Sequence, residues 1–358
     1  MTIARTNGLV RIVGSGLLGT SIGLALTKLG VSVSLEDASP ATARLAADYG
    51  AGSLAEPGGA PDLVIVCVPP DVTAAVVSQQ LRNYPNALVT DVASVKGSIV
   101  QELQSIGADL SRYLGSHPMA GREKGGASSG RADIFVGRPW IIASHSQGSA
   151  SALQAIEALA LDLQAVPIQM SAEEHDRAVA LVSHAPQLIS SLLASQLVDA
   201  DGVELAGQGL RDTVRIAASD PKLWVQIIGA NAGDILKVLK PFQEELGKVI
   251  EALADVDQPG SLATIDRALT LGNRGIERLP GKHGSRSTQF ATLVVMIDDQ
   301  PGELARLLRE VGEININVED LKLEHSPGAP IGLVELQVLP AKGETLQNEL
   351  TKRGWKFA

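Results

Sequence analysis

Apolar and polar positions in the first half of the chain follow two periods in turn. Short apolar runs stand at residues 9–13, 31–35, 63–68 and 87–92, and helical spacing of apolar side chains follows each run. Continuous apolar runs of this length are typical of strands buried in a parallel sheet, with helices as crossovers. The pattern predicts an α/β domain with a doubly wound parallel sheet over residues 1–168, including later extended segments at 113–116 and 139–143.

From about residue 170 to 278 only the helical period remains. Ser171 and Glu174 have the spacing of a capping box, in which each side chain accepts from the other residue's free amide. Asp220-Pro221 marks another helix start. We therefore predict an all-α domain over residues 169–280, whose long apolar helices would pack in a dimer.

The period changes again towards the C-terminus. Residues 281–288 are polar, basic and contain glycine, which is typical of a linker. The elements predicted beyond it are a strand at 290–297, a helix at 299–312, strands at 316–323 and 332–339, a helix at 343–353 and a strand at 355–357. This order, βαββαβ within residues 289–358, predicts a small α+β module.

A glycine-rich loop separates the first strand from the first helix. Gly14, Gly16 and Gly19 have the spacing Gly-x-Gly-x-x-Gly. The first glycine allows a tight turn, the second lets the backbone approach a pyrophosphate, and the third lets helix and strand pack closely. In this strand–loop–helix context the motif predicts a Rossmann domain, with helix-start amides facing the phosphates. The predicted cofactor contacts are completed by Leu17, Leu18, Val68 and Pro69.

An acidic pair, Glu36-Asp37, follows the second strand. Asp37 lies 23 residues after Gly14, near the distance at which an acid accepts hydrogen bonds from the adenosine ribose. A carboxylate there disfavours a 2′-phosphate, so NAD is expected rather than NADP. The alternative is an acid pair that is simply solvated.

Composition narrows the class of protein. The 358 residues suffice for two or three domains, and because 45% are hydrophobic and only 3% aromatic, the cores should be aliphatic. No apolar run reaches the roughly 18 residues of a membrane span, and the N-terminus lacks the apolar stretch of a signal peptide. The single cysteine, Cys67, is expected to be an inert buried thiol. Together these features predict a cytoplasmic protein.

The net charge of −10 argues against nucleic acid or an anionic membrane as a partner, so an anionic substrate must meet a local basic cluster. Arg211 and Arg215 are such a candidate, because their i, i+4 spacing places both on one helix face. Their repulsion would cost about a few tenths of a kcal/mol. A bound dicarboxylate would turn that cost into charge-assisted hydrogen bonds. The alternative is a solvated face with Asp212 or Asp220 as counter-ion.

Two loops beyond the strands carry candidate catalytic residues. His117 follows an extended segment, and Ser94 follows the fourth strand. Ligands of such sheets bind beyond the carboxyl ends of the strands. Histidine suits a base that takes a proton from an alcohol as hydride leaves, and Ser94 would hydrogen-bond the same alcohol. The alternatives are a surface histidine and a serine that caps the next helix.

His175 and His184 are considered as a metal pair and rejected. They are nine residues apart, which is about 900° of rotation, so they should face opposite ways on a helix. No metal site is predicted. His184 is expected to be either a satisfied core histidine or a pocket residue.

The motifs, in this order, resemble those of the prephenate/arogenate dehydrogenases of tyrosine biosynthesis over nearly the full chain. The matching stretches are GSGLLGTSIGLAL, DVASVKG, GSHPMAGREKGG, HDRAVALVSHAPQL and GLRDTVRIAASDPKLW, with Asn231 beyond them. The C-terminal module, with DDQPGEL and INVEDL, resembles an ACT domain, a regulatory amino-acid-binding module. Asn315 stands where many ACT domains have glycine, and asparagine tolerates the left-handed conformation.

The resemblance implies site roles residue by residue. His117 would accept the hydrogen bond of the ring hydroxyl, Ser94 would support that hydroxyl, and Arg215 would bind a carboxylate. The implied site is completed by Arg211 beside Arg215, by His184 at the substrate, by Glu123 at the pocket mouth and by Trp224 in the pocket wall.

The resemblance also implies the reaction and the partners. It is the oxidative decarboxylation of prephenate to 4-hydroxyphenylpyruvate with hydride transfer to NAD, in a homodimer, with tyrosine or another amino acid as effector. Arogenate, which would give tyrosine directly, is the alternative substrate. Two rival interpretations are a β-hydroxyacid dehydrogenase, which would use a lysine in its helical domain, and a non-catalytic sensor of NAD and an amino acid.

Overall fold

Two compact units make up the described part of the chain. The computed structural model describes residues 4–54, 58–121, 125–279, 290–325 and 331–358. One unit comprises the residues up to Asp201 together with Thr213–Pro241. The other comprises Gly202–Asp212 and Phe242–Ala358. The first unit holds the predicted nucleotide-binding half, and the second holds the predicted α+β module.

The nucleotide-binding half begins as an alternation of strands and helices. Its elements are β1 (Leu9–Val13), α1 (Leu17–Lys28), β2 (Ser32–Glu36), α2 (Pro40–Asp48), β3 (Leu63–Val66), α3 (Pro70–Asn83), β4 (Leu88–Asp91) and α4 (Gly97–Ser105). The strands pair in parallel in the order β2-β1-β3-β4. Ile12 and Ile65 lie side by side on the two inner strands and are fully buried. The predicted parallel sheet is confirmed for these elements.

A second sheet follows, and it departs from the prediction. Its elements are β5 (Gly115–Pro118), β6 (Pro139–Ser144), α5 (Ala150–Asp162) and β7 (Val166–Ser171). Strand β5 pairs antiparallel with β6, and β6 pairs parallel with β7, so the strands of this half are not parallel throughout. The sequence pattern misses β7 because no side chain of this strand is fully buried.

Helices follow from Ala172, as the period predicts. They are α6 (Ala172–Val179), α7 (Ala185–Ser195), α8 (Gln208–Val214), α9 (Pro221–Ala230), α10 (Ala232–Ala254) and α11 (Ser261–Ile276). Both predicted helix starts are confirmed. Ser171 and Glu174 form the capping box of α6, and the Asp220 side chain accepts from the Lys222 amide at 3.0 Å.

A π-helical turn at Ala180–His184 joins α6 to α7. Its hydrogen bonds run from i to i+5, so each turn holds more residues than an α-helical turn. The expectation that His175 and His184 face opposite ways assumed an uninterrupted α-helix and is wrong. Both histidines lie close enough to His117 to lower its pKa.

The helical segment Ala172–Ser195 meets the length and mean hydropathy of a membrane span, with 33% of its apolar window buried. The expectation that no stretch reaches this length therefore does not hold for this segment. Core helices of soluble proteins meet the same criterion. This segment has buried polar side chains, His175, Asp176 and His184, which membrane-facing surfaces avoid.

The described C-terminal residues form a module with its own core. Its elements are β8 (Ala291–Asp298), α12 (Glu303–Glu313), β9 (Asp320–His325), β10 (Ile331–Val338), α13 (Pro340–Lys352) and β11 (Lys356–Phe357). The antiparallel sheet has the order β11-β8-β10-β9, so the predicted βαββαβ order is confirmed. Asn315 has φ +58°, the left-handed conformation expected there. The predicted linker at residues 281–288 lies outside the described residues.

Candidate active site

The loop between β1 and α1 has the geometry of a dinucleotide cradle. Gly14 has φ +99°, and a Cβ there would lie 2.4 Å from the carbonyl oxygen of Cys67. A Cβ on Gly19 would lie 1.9 Å from the carbonyl oxygen of Gly14, whereas one on Gly16 would meet nothing within 4 Å. The first and third glycines are therefore required by packing, and the second faces open space where a pyrophosphate can approach.

The start of α1 is open to an anion. No side chain caps this helix, so its first amides are available for phosphate oxygens. Leu17 and Leu18 are half-buried at this helix start, and Leu18 packs on the core. Val68 lies beside the glycine loop, 3.2 Å from a Cβ built on Gly14, and Pro69 follows it on the surface. The residues present fit a dinucleotide.

Asp37 stands beside the same loop. One carboxylate oxygen accepts from the Ser15 amide at 2.7 Å and the other from the Ser39 amide at 2.8 Å. A carboxylate offers about four lone-pair sites, so both oxygens keep capacity for ribose hydroxyls. The adjoining cavity of about 560 Å³ is lined by Leu35, Glu36, Asp37, Pro40, Ala41, Ala43, Arg44 and Leu54. Its mainly apolar walls suit a nucleotide base.

Burial raises the pKa of the Cys67 thiol, with the Asp91 carboxylate as a second cause. A thiol held protonated is a poor nucleophile, which agrees with the expected inert cysteine, although Cys67 is half-buried and not fully buried.

A buried polar cluster ties the end of β4 to β5. Lys96 pairs with Asp91, and both side chains are completely buried. Lys96 Nζ also donates to the Ser116 carbonyl at 2.8 Å, and the Tyr113 hydroxyl donates to Asp91 at 2.7 Å. Burial lowers the pKa of Lys96, although Asp91 opposes this. The cluster fixes the loop after β4 against the strand that carries His117.

Ser94 lies half-buried in that loop between β4 and α4. The N-cap of α4 is Lys96, and no side chain in the cap position bonds to the helix amides. The alternative interpretation of Ser94 as a helix cap is therefore wrong. The first amides of α4 bond to Asp176 instead, which leaves the Ser94 hydroxyl for other partners.

His117 lies within β5, not in a loop beyond a strand as predicted, and its ring is paired with a second histidine. The Nδ1 atom of His117 is 2.8 Å from Nε2 of His175, and the rings meet edge to face with centroids 5.1 Å apart. His175 is completely buried and His117 is half-buried. A surface histidine, the alternative to a catalytic one, is excluded by these contacts.

Asp176 anchors this pair. His175 Nδ1 lies 2.7 Å from Asp176 Oδ1, and the carboxylate also accepts from the amides of Lys96 at 2.9 Å and Gly97 at 2.7 Å. Burial opposes ionisation, but the hydrogen bonds from His175 and the two amides lower the pKa of Asp176. The carboxylate is therefore ionised and only accepts, so His175 Nδ1 carries a proton.

His184 is held by Asn231. The Asn231 amide nitrogen donates to the Asp176 carbonyl at 2.8 Å and lies 3.1 Å from His184 Nδ1. The Asp176 carbonyl oxygen can only accept, so the Asn231 side-chain atom that faces it must be the amide nitrogen. The second hydrogen of that nitrogen is then donated to His184. His184 Nδ1 is thus an acceptor, and its Nε2 carries the proton.

Both site histidines are kept neutral. Burial, followed by the neighbouring His175, Lys96 and His184, lowers the pKa of His117 well below its usual range. Burial lowers the pKa of His184 to about 4, with Asp176 opposing and His175 assisting. The Trp224 ring stands edge to face with His184 at a centroid distance of 6.0 Å. His184 is buried and bonded to Asn231, which fits a satisfied core histidine, and its place at the pocket stays a prediction.

The predicted arginine pair does not share one α-helix. Arg211 lies on α8, which ends at Val214, and Arg215 begins a 3₁₀ turn. The two residues also fall in different compact units. The chain continues from α8 directly into this 3₁₀ turn, so the placement of both side chains on one face stays a prediction. Glu123, predicted at the pocket mouth, lies outside the described residues.

Sequence reasoning missed three contributors to the site. Asp176 and Lys96 were not assigned a role, and His175 was considered only as a metal ligand. The stretches HDRAVALVSH and DVASVKG contain all three, but helical periodicity does not reveal that one meets the other across about eighty positions of sequence.

An open dinucleotide cradle and a neutral histidine anchored on β5 define a nicotinamide-dependent dehydrogenase. The family model described as "Prephenate dehydrogenase, nucleotide-binding domain" matches residues 22–169, and "Prephenate dehydrogenase, dimerization domain" matches residues 171–266. The chain belongs to the prephenate dehydrogenase family and is an NAD-dependent oxidoreductase.

Individual relatives agree with this family. The chain is 36% identical over 353 residues to "Probable prephenate dehydrogenase NovF" of Streptomyces niveus, covering 96% of this chain and 98% of that one. It is 31% identical to the cyclohexadienyl dehydrogenase of Zymomonas mobilis, covering 69% of this chain and 89% of that one. The crystal structure of prephenate dehydrogenase from A. aeolicus with hydroxyphenyl propionate and NAD+ is similar with a TM-score of 0.65 and 26% identity, covering 77% and 99% of the two chains.

Proposed function

We propose that this protein catalyses the oxidative decarboxylation of prephenate to 4-hydroxyphenylpyruvate with NAD as hydride acceptor, in tyrosine biosynthesis. The observation that carries the proposal is the contact between the ring of His117 and that of His175. The Nδ1 atom of His117 is engaged by His175, so the Nε2 atom of His117 remains for a proton donor outside the protein. The family of the chain then identifies that donor as the ring hydroxyl of a cyclohexadienol.

His117 Nε2 accepts the hydroxyl proton in this mechanism. Bound NAD supplies the hydride acceptor. The C–H bond of the ring carbon that bears the hydroxyl breaks as hydride leaves. The bond to the ring carboxylate then breaks, carbon dioxide leaves and the ring becomes aromatic, after which His117 returns the proton to the phenolate oxygen. Aromatisation supplies the driving force, so His117 need hold the proton only while the hydride moves.

The other site residues bind and orient the substrate. Ser94 hydrogen-bonds the same hydroxyl, and His184, a neutral donor through Nε2, bonds a carboxylate oxygen. Arg215 pairs with a substrate carboxylate. The remaining proposed contacts, carried over from the family resemblance, are Trp224 in the wall, Arg211 and Glu123.

The substrate is tested by NADH formation with prephenate and arogenate in parallel. We expect turnover of prephenate. Arogenate differs in carrying an amino group in place of the keto group of the side chain, and turnover of arogenate alone would reassign the substrate and the product, which would then be tyrosine. Absence of turnover with both would contradict the proposed reaction.

The cofactor preference is tested in the same assay. The Asp37 carboxylate, held beside the cradle by two backbone amides, would repel a 2′-phosphate and accept from ribose hydroxyls. NAD should therefore be used with a higher kcat/KM than NADP. A higher kcat/KM with NADP would contradict this role of Asp37.

A homodimer through the helical domain, in the cytoplasm, is part of the proposal. Along α10, the side chains of Leu246, Ile250 and Leu253 are spaced on one face, and Ile250 is 57% exposed. Apolar rows of this kind on long helices mark an interaction surface. The surface suits a second copy of the chain, because the family model that matches here describes a dimerisation domain.

The C-terminal module is proposed to be an ACT-like domain that binds an amino-acid effector, tyrosine in the first instance. Its βαββαβ order and the left-handed Asn315 support this assignment. Rates measured with rising tyrosine or phenylalanine concentration test it. An unchanged rate, together with no binding in calorimetry, would contradict an effector site.

A further inference from the structure

Asp176 and His175 form a chain of hydrogen bonds behind His117. The Asp176 carboxylate accepts from His175 Nδ1 at 2.7 Å, and His175 Nε2 lies 2.8 Å from His117 Nδ1. His175 is completely buried and Asp176 is 5% exposed. Neither residue has a place in the proposed substrate contacts, yet both are buried polar groups whose position needs an explanation.

The proton positions along these hydrogen bonds follow from the Asp176 carboxylate. The ionised carboxylate accepts from His175 Nδ1, so a neutral His175 offers only a lone pair at Nε2. His117 must then carry its proton on Nδ1 and donate it to His175. Its Nε2 is left without a proton, which is the form a base needs.

The carboxylate itself is rigidly placed. It accepts from the amides of Lys96 and Gly97, which open α4, so it joins α4 to α6. A Cβ on Gly97 would lie 2.9 Å from the second carboxylate oxygen, so glycine permits this approach. The positive end of the α4 dipole further stabilises the negative charge.

We propose that His175 and Asp176 are positioning residues that hold His117 in the Nδ1-protonated tautomer and take up part of the positive charge when Nε2 receives the substrate proton. As a proton binds at Nε2 of His117, the Nδ1 proton moves towards His175 Nε2. The charge then lies between an imidazole pair and the ionised Asp176. Both protons return when the phenolate oxygen is reprotonated, so no other reactant is needed.

The charges around His117 favour moving positive charge from its ring towards His175. Lys96, His184 and His175 all lie near enough to His117 to disfavour an isolated positive charge on its ring. The ionised Asp176 is bonded to His175 and not to His117, so it stabilises a positive charge that moves onto His175. Sharing the charge through His175 therefore lowers the cost of protonating His117.

The inference rests on the proposed role of His117, and two measurements distinguish a failure of the inference from a failure of the proposed function. The first is heteronuclear NMR of the full-length wild-type protein with isotope-labelled histidine, with His117→Asn used to assign the ring. We expect a protonated Nδ1 and a bare Nε2 on His117. A protonated Nε2 would overturn the inference, and this measurement needs no turnover, so it stands even if prephenate is not the substrate.

The second measurement compares kcat in His175→Ala, His175→Gln and wild type. His175→Ala removes the acceptor of the His117 Nδ1 proton and should lower kcat at least about tenfold, with KM for NAD unchanged. In His175→Gln the amide oxygen can accept that proton but takes up no charge, so part of the lost rate should return.

The matched control is His145→Ala, because His145 also loses a ring hydrogen bond, to the Tyr113 carbonyl at 2.9 Å, but does not touch His117. A His175→Ala kcat equal to that of this control would overturn the inference, as would equal rates for the alanine and glutamine variants. If His175→Ala does not fold, the glutamine variant and the wild-type spectrum still decide the question.

Discussion

Two neutral histidines at the site have opposite hydrogen-bonding capacities because of their partners. His117 donates from Nδ1 to His175 and so offers a lone pair at Nε2, whereas His184 accepts at Nδ1 from Asn231 and so offers a hydrogen at Nε2. Burial keeps both uncharged near neutral pH. At the scale of single residues, the same type of side chain therefore supplies both an acceptor for a hydroxyl, at His117, and a donor for a carboxylate, at His184.

Replacing His117 by Asn should lower kcat by about 10²–10⁴, because the proton acceptor of the hydroxyl is lost. NAD affinity, which depends on the cradle at the start of α1, should not change. Stopped-flow kinetics and NAD titration measure the two quantities. His145→Asn is the matched control, and an unchanged kcat in His117→Asn would remove this residue from the mechanism.

Replacing Arg215 by Ala should raise KM for prephenate strongly, because the proposed partner of this side chain is the substrate carboxylate. The free energy of unfolding should change little, because Arg215 is exposed. The control is Arg177→Ala, which removes an equally exposed arginine from α6. Steady-state kinetics and urea unfolding compare the variants. A KM equal to that of the control would contradict the carboxylate role.

At the scale of elements, α10 and α11 expose apolar rows that a single chain leaves in solvent. Ile250 and Leu253 lie on α10, and Leu262, Leu269 and Ile276 recur every seven residues on α11. These side chains are between 57% and 67% exposed. Helices with such faces gain most of their stability from packing, so they need a partner surface.

Replacing Ile250 by Glu should dissociate the proposed dimer into monomers, because a charge would be buried in the apolar contact. Lys248→Glu introduces the same side chain about 200° away on the helix and should leave the dimer intact. Analytical ultracentrifugation over a range of concentrations measures the association. Equal dimer stability in both variants would place the interface elsewhere.

At the scale of the whole molecule, the buried neutral histidines link global stability to pH. Unfolded His184 takes up a proton near pH 6.5, but in the folded protein its pKa is about 4. Between these values the unfolded state binds more protons, so the free energy of unfolding rises with pH in this window. His117, with its lowered pKa, acts in the same direction.

We therefore expect the free energy of unfolding to fall as pH is lowered from 6.5 towards 4, and His184→Asn to reduce the slope. The remaining slope comes from His117 and other groups. Urea denaturation at several pH values measures the dependence. A slope in the variant as steep as in wild type and in His145→Asn would show that the shifted pKa of His184 is not the cause.

The local features of this protein follow from the sequence alone. The apolar runs predict β1 to β4, Gly14 and Gly19 stand where packing admits no Cβ, and Ser171 and Asp220 start the helices as their caps indicate. These features depend on neighbours within a few positions, so periodicity and spacing reveal them. The same reasoning assigned His117 to the site from the ends of parallel strands, although this residue lies within β5, which pairs antiparallel with β6.

The tertiary structure decided which buried polar groups meet. His117 contacts His175 across 58 positions of sequence, Lys96 contacts Asp176 across 80, and Asn231 contacts His184 across 47. Hydrophobic periodicity reports only that a position is buried, and says nothing of its polar partner. The π-helical turn at Ala180–His184 likewise changed which side chains share a face. Pro186, which has no backbone amide to donate, disfavours a regular α-helix at this point, but only packing against the rest of the fold decides which residues form the wider turn.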